Sequence, residues 1–334
     1  ESRFEETVKG KKSEELTAEE RDMRETLSKR IVELRTERDA RLEEIGKANA
    51  KVRQIIDLAL LSNGMLKGNN LEEIIEVYMG ELVGEQNFER YGLEFPLLIK
   101  YLDCNDRLSV QVHPNDELAE ERHASFGKTE AWYIAECKEG AAIYLGFRDL
   151  NITREEYIAA VAESRLESML NRVEVKKGDV FFIPAGTVHA LGAGIEVVEV
   201  QQTSDVTYRI YDWDRVDSEG KGRELHTALA VDAIDFEADA DLLHRKYDLA
   251  EGGEAKVIES PYFTMVMHDI AGEKELERSM LDSFIIYIAI NGDMTITADG
   301  VSEQLKEGEV VLIPAEVEDV LIEGSGRIME VYIG

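Results

Sequence analysis

One bend constrains this chain more than any other feature. Gly178 to His189 reads GDVFFIPAGTVH. A Gly-Asp pair opens a turn, and Val180 to Ile183 is a short β-branched and aromatic run that predicts a strand. Pro184 and Gly186 then break it. A proline and a glycine bracketing a tight bend fix the backbone, so His189 projects in one direction. The bend occurs twice. Lys177 to Ala185 (KGDVFFIPA) has a counterpart in Lys306 to Ala315 (KEGEVVLIPA), and five residues after each proline stand His189 and Asp319 respectively. Two similar β units are expected, of which the second keeps the bend and loses the histidine.

A lone histidine in a β-protein is usually a core residue, but His189 has company upstream. In Gln111-Val112-His113 the period-2 alternation puts the amide and the imidazole on one strand face. Gly127-Lys128-Thr129-Glu130 adds a carboxylate in what reads as a fixed loop. Gln111, His113, Glu130 and His189 form a mixed nitrogen and oxygen set suited to zinc or another borderline divalent ion. No element like QVH precedes the second bend.

The balance of charge narrows the partners. With 70 acidic against 38 basic side chains the formal net charge is −32. Nucleic acid is not expected, because its phosphates need a basic footprint. A small anionic substrate fits only where basic residues gather in a cleft. No apolar run reaches 18 residues and the charged N-terminus shows no apolar signal core, so neither a membrane span nor a secretory leader is expected. The two cysteines, Cys104 and Cys137, form no CxxC pair; free thiols in a cytoplasmic protein are the reading.

Along the chain, residues 13 to 61 carry no proline and one glycine, with Thr17 and Glu20 as a capping box. A long helix or helical pair is predicted. Two readings of it stand level: an arm for self-association, giving a homo-oligomer, or a solvated or fused helix packed on its neighbour. Shorter helices are predicted at 71–79 and 85–91, and strands from Phe95 onward. A helix is expected from Thr153 through Leu170, then strands to Tyr211, and a final set of short strands from about residue 255. Glu199 lies between Val198 and Val200, which predicts that it faces a cavity or solvent. Among the remaining histidines, that of Glu224-Leu225-His226 stands nearest the candidate site in sequence.

The spacing Gly-(five residues)-Pro-x-Gly-x-x-His at Gly178, Pro184, Gly186 and His189 resembles the cupin pattern. With FPLLIKYLD, LSVQVHPND, SFGKTEAWY, FFIPAGTVHALGAG and QQTSDVTYRIYDWDR, residues 62 to 334 resemble a type I mannose-6-phosphate isomerase of the short bacterial kind. The fold implied is mainly β with added helices: two cupin-type β-barrel or jelly-roll units preceded by the N-terminal helical segment. The implied division is 1–61, then a metal-binding unit at 62–250, then a unit lacking metal ligands at 251–334. The resemblance implies one Zn²⁺ per chain, on Gln111, His113, Glu130 and His189, and interconversion of mannose 6-phosphate and fructose 6-phosphate. It assigns catalytic roles to Arg209, Glu199 and Lys128, and places Ser109 and Arg215 at the substrate. The family's first strands, with their Trp-Gly-Gly and Ser-Trp-Glu elements, are absent; residues 1–61 stand in their place. A sugar-phosphate-binding or scaffolding cupin without turnover is the alternative reading.

Overall fold

The computed structural model describes residues 61–62 and 66–334. The predicted helical arm therefore lies, but for its last residue, outside the described residues. Three short helices come first: α1 (Leu71–Tyr78), α2 (Gly80–Val83) and α3 (Glu85–Tyr91). Asn70 and Glu73 cap α1 reciprocally, each accepting the other's backbone N–H at 2.9 and 3.0 Å. The start of α3 is satisfied by Asp282, whose two carboxylate oxygens accept from Glu85 N at 2.7 Å and Gln86 N at 3.1 Å. Gly84 must be glycine there: its φ is 93°, and a Cβ would lie 2.3 Å from Asp282 O.

Two five-stranded antiparallel sheets follow. One runs in the order β1 (Leu97–Cys104), β8 (Ile195–Gln202), β3 (Glu130–Cys137), β6 (Val180–Ile183), β10 (His244–Arg245). The other runs β5 (Leu170–Glu174), β4 (Ala142–Phe147), β7 (His189–Ala190), β2 (Val110–Val112), β9 (Tyr208–Tyr211). Alternation along each strand decides what fills the space between them. Trp132, Ile134, Phe181, Ile183 and Val197 from the first sheet meet Ile143, Leu145 and Leu191 from the second in one buried cluster. The opposite face of the second sheet carries Val110, Val112, Ala190 and Ile210. It is covered by α5 (Arg154–Ala162), α6 (Leu166–Met169) and α7 (Thr227–Ala233) through Tyr157, Leu166, Val231 and Ile234. A helix α4 (Asp116–His123) links β2 to β3, and α8 (Ala240–Leu243) precedes β10.

The C-terminal stretch forms a seven-stranded sheet. Its main path is β11 (Glu254–Glu259), β12 (Thr264–Glu277), β17 (Asp319–Tyr332), β13 (Ile285–Asn291), β16 (Val310–Ile313), with β14 (Met294–Ala298) pairing both β17 and β15 (Val301–Leu305). The repeated bend is present in both halves: Thr187 N bonds Pro184 O and Val317 N bonds Pro314 O, each at 3.1 Å. Strand register explains why only one half can hold a metal. Ile183, just before the first bend, pairs with Glu130, whereas Ile313, just before the second, pairs with Ile285.

Two local expectations need correction. The helix predicted over Thr153–Leu170 is two helices. Ser164 turns left-handed at φ 54°, and Arg165 N closes the end of α5 on Ala160 O at 2.8 Å, so Leu166 and Met169 start a new turn and Leu170 opens a strand. Periodicity alone merges such neighbours because their apolar faces meet the same core. The strand over Leu108–His113 shortens to Val110–Val112. Cys104 and Cys137 are free thiols. Both pair with Ile195, one from each side of β8. Their strands are thus about 10 Å apart, too far for a disulfide.

Candidate metal centre and its surroundings

The site is built where strands of both sheets end. Because Val110 and Val112 face the helix layer, Gln111 between them points the other way, into the space between the sheets. Gln111 pairs with His189 on one side and with Arg209 on the other, and paired residues share a face. One row of the second sheet therefore presents His189, Gln111 and Arg209 together, with His113 continuing the same face just past β2. Glu130 opens β3 in the facing sheet. Its approach is fixed by Gly127, where a Cβ would lie 2.5 Å from Asp116 N. Around it Gly127 N donates to Asp116 Oδ1 at 2.8 Å, Lys128 N to Pro114 O at 3.1 Å and Thr129 N to Gln202 Oε1 at 2.8 Å. Thr129 Oγ1 in turn accepts from Ala185 N at 3.2 Å, tying this loop to the bend that carries His189.

Among the described residues, the ligand atoms of His113, Glu130 and His189 all lie within 4.8 Å of one another. All three side chains are buried. His113 Nδ1 donates to Val206 O at 2.9 Å and His189 Nδ1 to Thr187 O at 2.8 Å. Each ring then has its proton on Nδ1 and turns the Nε2 lone pair inward. Those lone pairs meet the Glu130 carboxylate, at 3.5 Å for His113 and 3.3 Å for His189. Acceptors thus face acceptors with no proton between them. His189 Nε2 and both Glu130 oxygens have no hydrogen-bond partner. Such an arrangement is unfavourable unless a cation sits among the groups. Gln111, His113, Glu130 and His189 fit a divalent metal on this ground.

Lys128 supplies one positive charge beside them. Its buried ammonium lies 3.1 Å from Glu130 Oε2 and 3.2 Å from His113 Nε2. Burial works against that charge, yet Glu130, Glu199 and Asp205 together hold the lysine above its ordinary value. Burial also works against the Glu130 carboxylate, and Lys128 and the two histidines keep it well below the usual range. His113 is pushed down to about 3, chiefly by burial and then by Lys128. His189 is lowered by burial, with Lys128 acting in the same direction. The pocket thus holds neutral imidazoles and an ionised carboxylate, the protonation states that metal ligation needs.

Glu199 faces inward as its alternation predicts, and it faces buried partners, not solvent. Trp132 Nε1 donates to Oε2 at 3.0 Å and Lys100 Nζ to Oε1 at 2.8 Å. Lys100 also bonds Gln201 Oε1. Arg209 Nε donates to Ser109 Oγ at 3.3 Å and Nη1 to Glu224 O at 3.0 Å. Arg215 belongs to a neighbouring group. Its Nη1 donates to Arg107 O at 2.6 Å, and the half-exposed guanidiniums of Arg215 and Arg223 both bind the buried Asp212 carboxylate. Burial opposes ionisation of Asp212, but the two arginines hold it below the ordinary carboxylate value. Burial and then Arg223 lower the pKa of Arg209, which shows that the two arginine groups feel each other.

Lys100, Asp212, Arg223 and His226 enter the site without having been assigned a role from sequence. Lys100 had a signal: in LLIKYLD it is the one charge in a β-branched and aliphatic run, and it pairs in register with Glu199. Arg223 had none, since only the left-handed pair Trp213 and Asp214, at φ 57° and 55°, turns the chain so that Asp212 can reach it.

The double sheet and its buried two-histidine, one-carboxylate centre define a metal-binding cupin. The sequence matches the model of the type I phosphomannose isomerase catalytic domain over residues 59–144 and that of the mannose-6-phosphate isomerase cupin domain over residues 254–333. It is 36% identical over 272 residues to the mannose-6-phosphate isomerase ManA of Bacillus subtilis, covering 80% of this chain and 82% of that one. It is 33% identical over 272 residues to the mannose-6-phosphate isomerase of Streptococcus mutans, covering 81% and 83%. The crystal structure of the mannose 6-phosphate isomerase from Bacillus subtilis superimposes with a TM-score of 0.73 at 35% identity, covering 82% of this chain and 85% of that one. The chain belongs to the type I phosphomannose isomerase family. Among the described residues no helix is long and apolar enough to cross a membrane.

Proposed function

We propose that the chain is a zinc-dependent aldose–ketose isomerase that interconverts mannose 6-phosphate and fructose 6-phosphate through an enediolate. The observation that carries this reading is the convergence of two Nε2 lone pairs and the Glu130 carboxylate at a point walled by Lys128, Glu199 and Arg209. Gln111, His113, Glu130 and His189 would hold the metal. When bound it supplies a Lewis acid for the negative charge that develops as the carbonyl moves from C1 to C2.

The remaining work falls to side chains. A proton must leave C2 of the open-chain aldose and return at C1. Glu199 is the proposed carrier: its carboxylate is buried and oriented by Trp132 and Lys100, as a general base must be. Arg209, fixed by Ser109 and Glu224, offers a cation to the two oxygens that share the enediolate charge. Lys128 adds a second cation on the metal side. Ser109 and Arg215 are the proposed contacts of the phosphate, for which the guanidinium fork is suited. Residues 62–250 then carry the chemistry and 251–334 form the companion barrel without ligands.

A coupled assay with mannose 6-phosphate tests the reading. Turnover should vanish after chelation and return with Zn²⁺ in a one-to-one ratio. Turnover that survives removal of all metal would sink it. Unphosphorylated mannose should be a poor substrate, and equal use of both sugars would remove Ser109 and Arg215 from their role.

A further inference from the structure

We infer that His226 is a positioning residue for Arg209, fixing the guanidinium from the outer edge of β9. This inference rests on the role proposed for Arg209. β9 is the last strand of its sheet, so one edge lacks a strand partner. A residue's N–H and C=O point to the same edge of an antiparallel strand. For Arg209 that edge faces away from β2, and the segment Glu224-Leu225-His226 meets it. His226 N donates to Arg209 O at 2.7 Å, and Arg209 N donates to His226 Nδ1 at 3.2 Å. Glu224 O accepts from Arg209 Nη1 at 3.0 Å. The backbone donor, the backbone acceptor and the guanidinium of one residue are therefore all held by three consecutive residues.

His226 does this in place of a more local task. It stands at the N-cap of α7, where a side chain commonly bonds the first-turn N–H groups, yet its side chain makes no such bond. The imidazole turns back to Arg209 instead. Its Nδ1 takes the place of a carbonyl oxygen on a missing neighbouring strand. On the other edge of β9, Arg209 and Gln111 form the pair that does not exchange backbone bonds, the geometry in which side chains approach most closely. A shift of Arg209 along or away from this edge would move the guanidinium relative to the metal ligand beside it. Displacements of about 1 Å at such a group can cost on the order of 100-fold in rate.

The test compares His226→Ala, His226→Asn and His226→Gln in the zinc-loaded full chain. An Asn side chain can place an acceptor near the Nδ1 position, whereas Gln reaches to the Nε2 position. The Ala and Gln variants should lose roughly 10- to 100-fold in kcat with KM changed by no more than about threefold. The Asn variant should recover to within about threefold of the parent. Zinc content should stay at one per chain in all three. Equal kcat for Asn and Gln variants, or a parental kcat in the Ala variant, would overturn the inference. If the Ala variant fails to fold, the Asn and Gln pair alone decides. Arg209→Ala run alongside separates the two ideas, because parental turnover in that variant defeats the role proposed for Arg209 itself.

Discussion

Trp132 Nε1 donates to Glu199 Oε2 at 3.0 Å across neighbouring strands, inside the barrel. The second barrel repeats the arrangement at the same register: Glu199 pairs with Trp132, and Glu330 pairs with Tyr287. Counting back to the bends confirms the correspondence, since Ile183 pairs with Glu130 two residues before Trp132 and Ile313 with Ile285 two residues before Tyr287. An inward carboxylate opposite an aromatic residue thus belongs to both repeats. The metal ligands belong to one. In the first barrel the indole holds the carboxylate from one side while Lys100 holds it from the other. Trp132→Phe keeps the volume and removes the donor. A hydrogen bond to a charged group contributes about 1.5–3 kcal/mol, so kcat should fall about 10- to 100-fold with zinc content unchanged. A phenylalanine variant with parental kcat would mean that the orientation of Glu199 does not limit the proton transfer.

Metal binding should depend unequally on the four proposed ligands. His189→Ala removes one of two imidazoles and leaves Glu130 Oε1 without its nearest neighbour at 3.3 Å. Zinc measured after dialysis should drop from one per chain to near zero, with kcat lost alongside. Gln111→Ala removes a half-buried neutral amide, the weakest donor of the set, and should weaken zinc affinity by a smaller factor. Full zinc retention in the His189 variant would remove that residue from the centre.

Much of this centre was legible in the chain, because its geometry is local. Pro184, Gly186 and His189 lie within one bend, Gln111 and His113 within one strand period, and Gly127 to Glu130 within one loop. Residues that depend on the pairing of distant strands were not. Lys100 meets Glu199 only through the β1–β8 register, and Arg223 meets Arg215 only through Asp212 and the left-handed turn before it. The inward direction of Glu199 followed from its valine neighbours; that it would face an ion pair in place of solvent did not. The break between α5 and α6 was hidden for a similar reason, since Leu166 and Tyr157 are buried in the same cluster although they stand on different helices.

Gly127 offers a test of the loop that brings Lys128 and Glu130 to the metal. A Cβ there would lie 2.5 Å from Asp116 N and 2.7 Å from Asn115 C, both backbone atoms that cannot move aside without disturbing α4. Gly127→Ala should therefore push the loop outward. The expected result is a zinc affinity lower by about tenfold or more together with a stability loss of about 1–3 kcal/mol, the range of an overpacked site. Thermal unfolding of the metal-free and zinc-loaded forms separates the two effects. An unchanged zinc affinity would show that the loop tolerates the methyl group by another path.

The last expectation concerns acid stability of the second barrel. Glu330 is fully buried, and its carboxylate is held by Arg278 at 2.7 and 2.8 Å and by His268 at 2.5 Å. Burial alone would raise its pKa, but Arg278 and His268 outweigh that and bring it below the ordinary value. A carboxyl whose folded pKa is depressed contributes stability that is fully present above its unfolded pKa, about 4.3, and that is lost as pH falls through the folded value. Urea unfolding followed by the C-terminal tyrosines should therefore show stability flat from neutral pH to about 5 and falling steeply below about 4. Glu330→Gln should flatten that fall. Arg278→Ala leaves a buried carboxylate without its guanidinium and should destabilise at neutral pH by about 3–5 kcal/mol. Because the metal centre lies in the other barrel, zinc stoichiometry of the folded Glu330→Gln protein should remain at one per chain. An acid profile identical in parent and Glu330→Gln proteins would show that the carboxylate of Glu330 does not govern the acid limit.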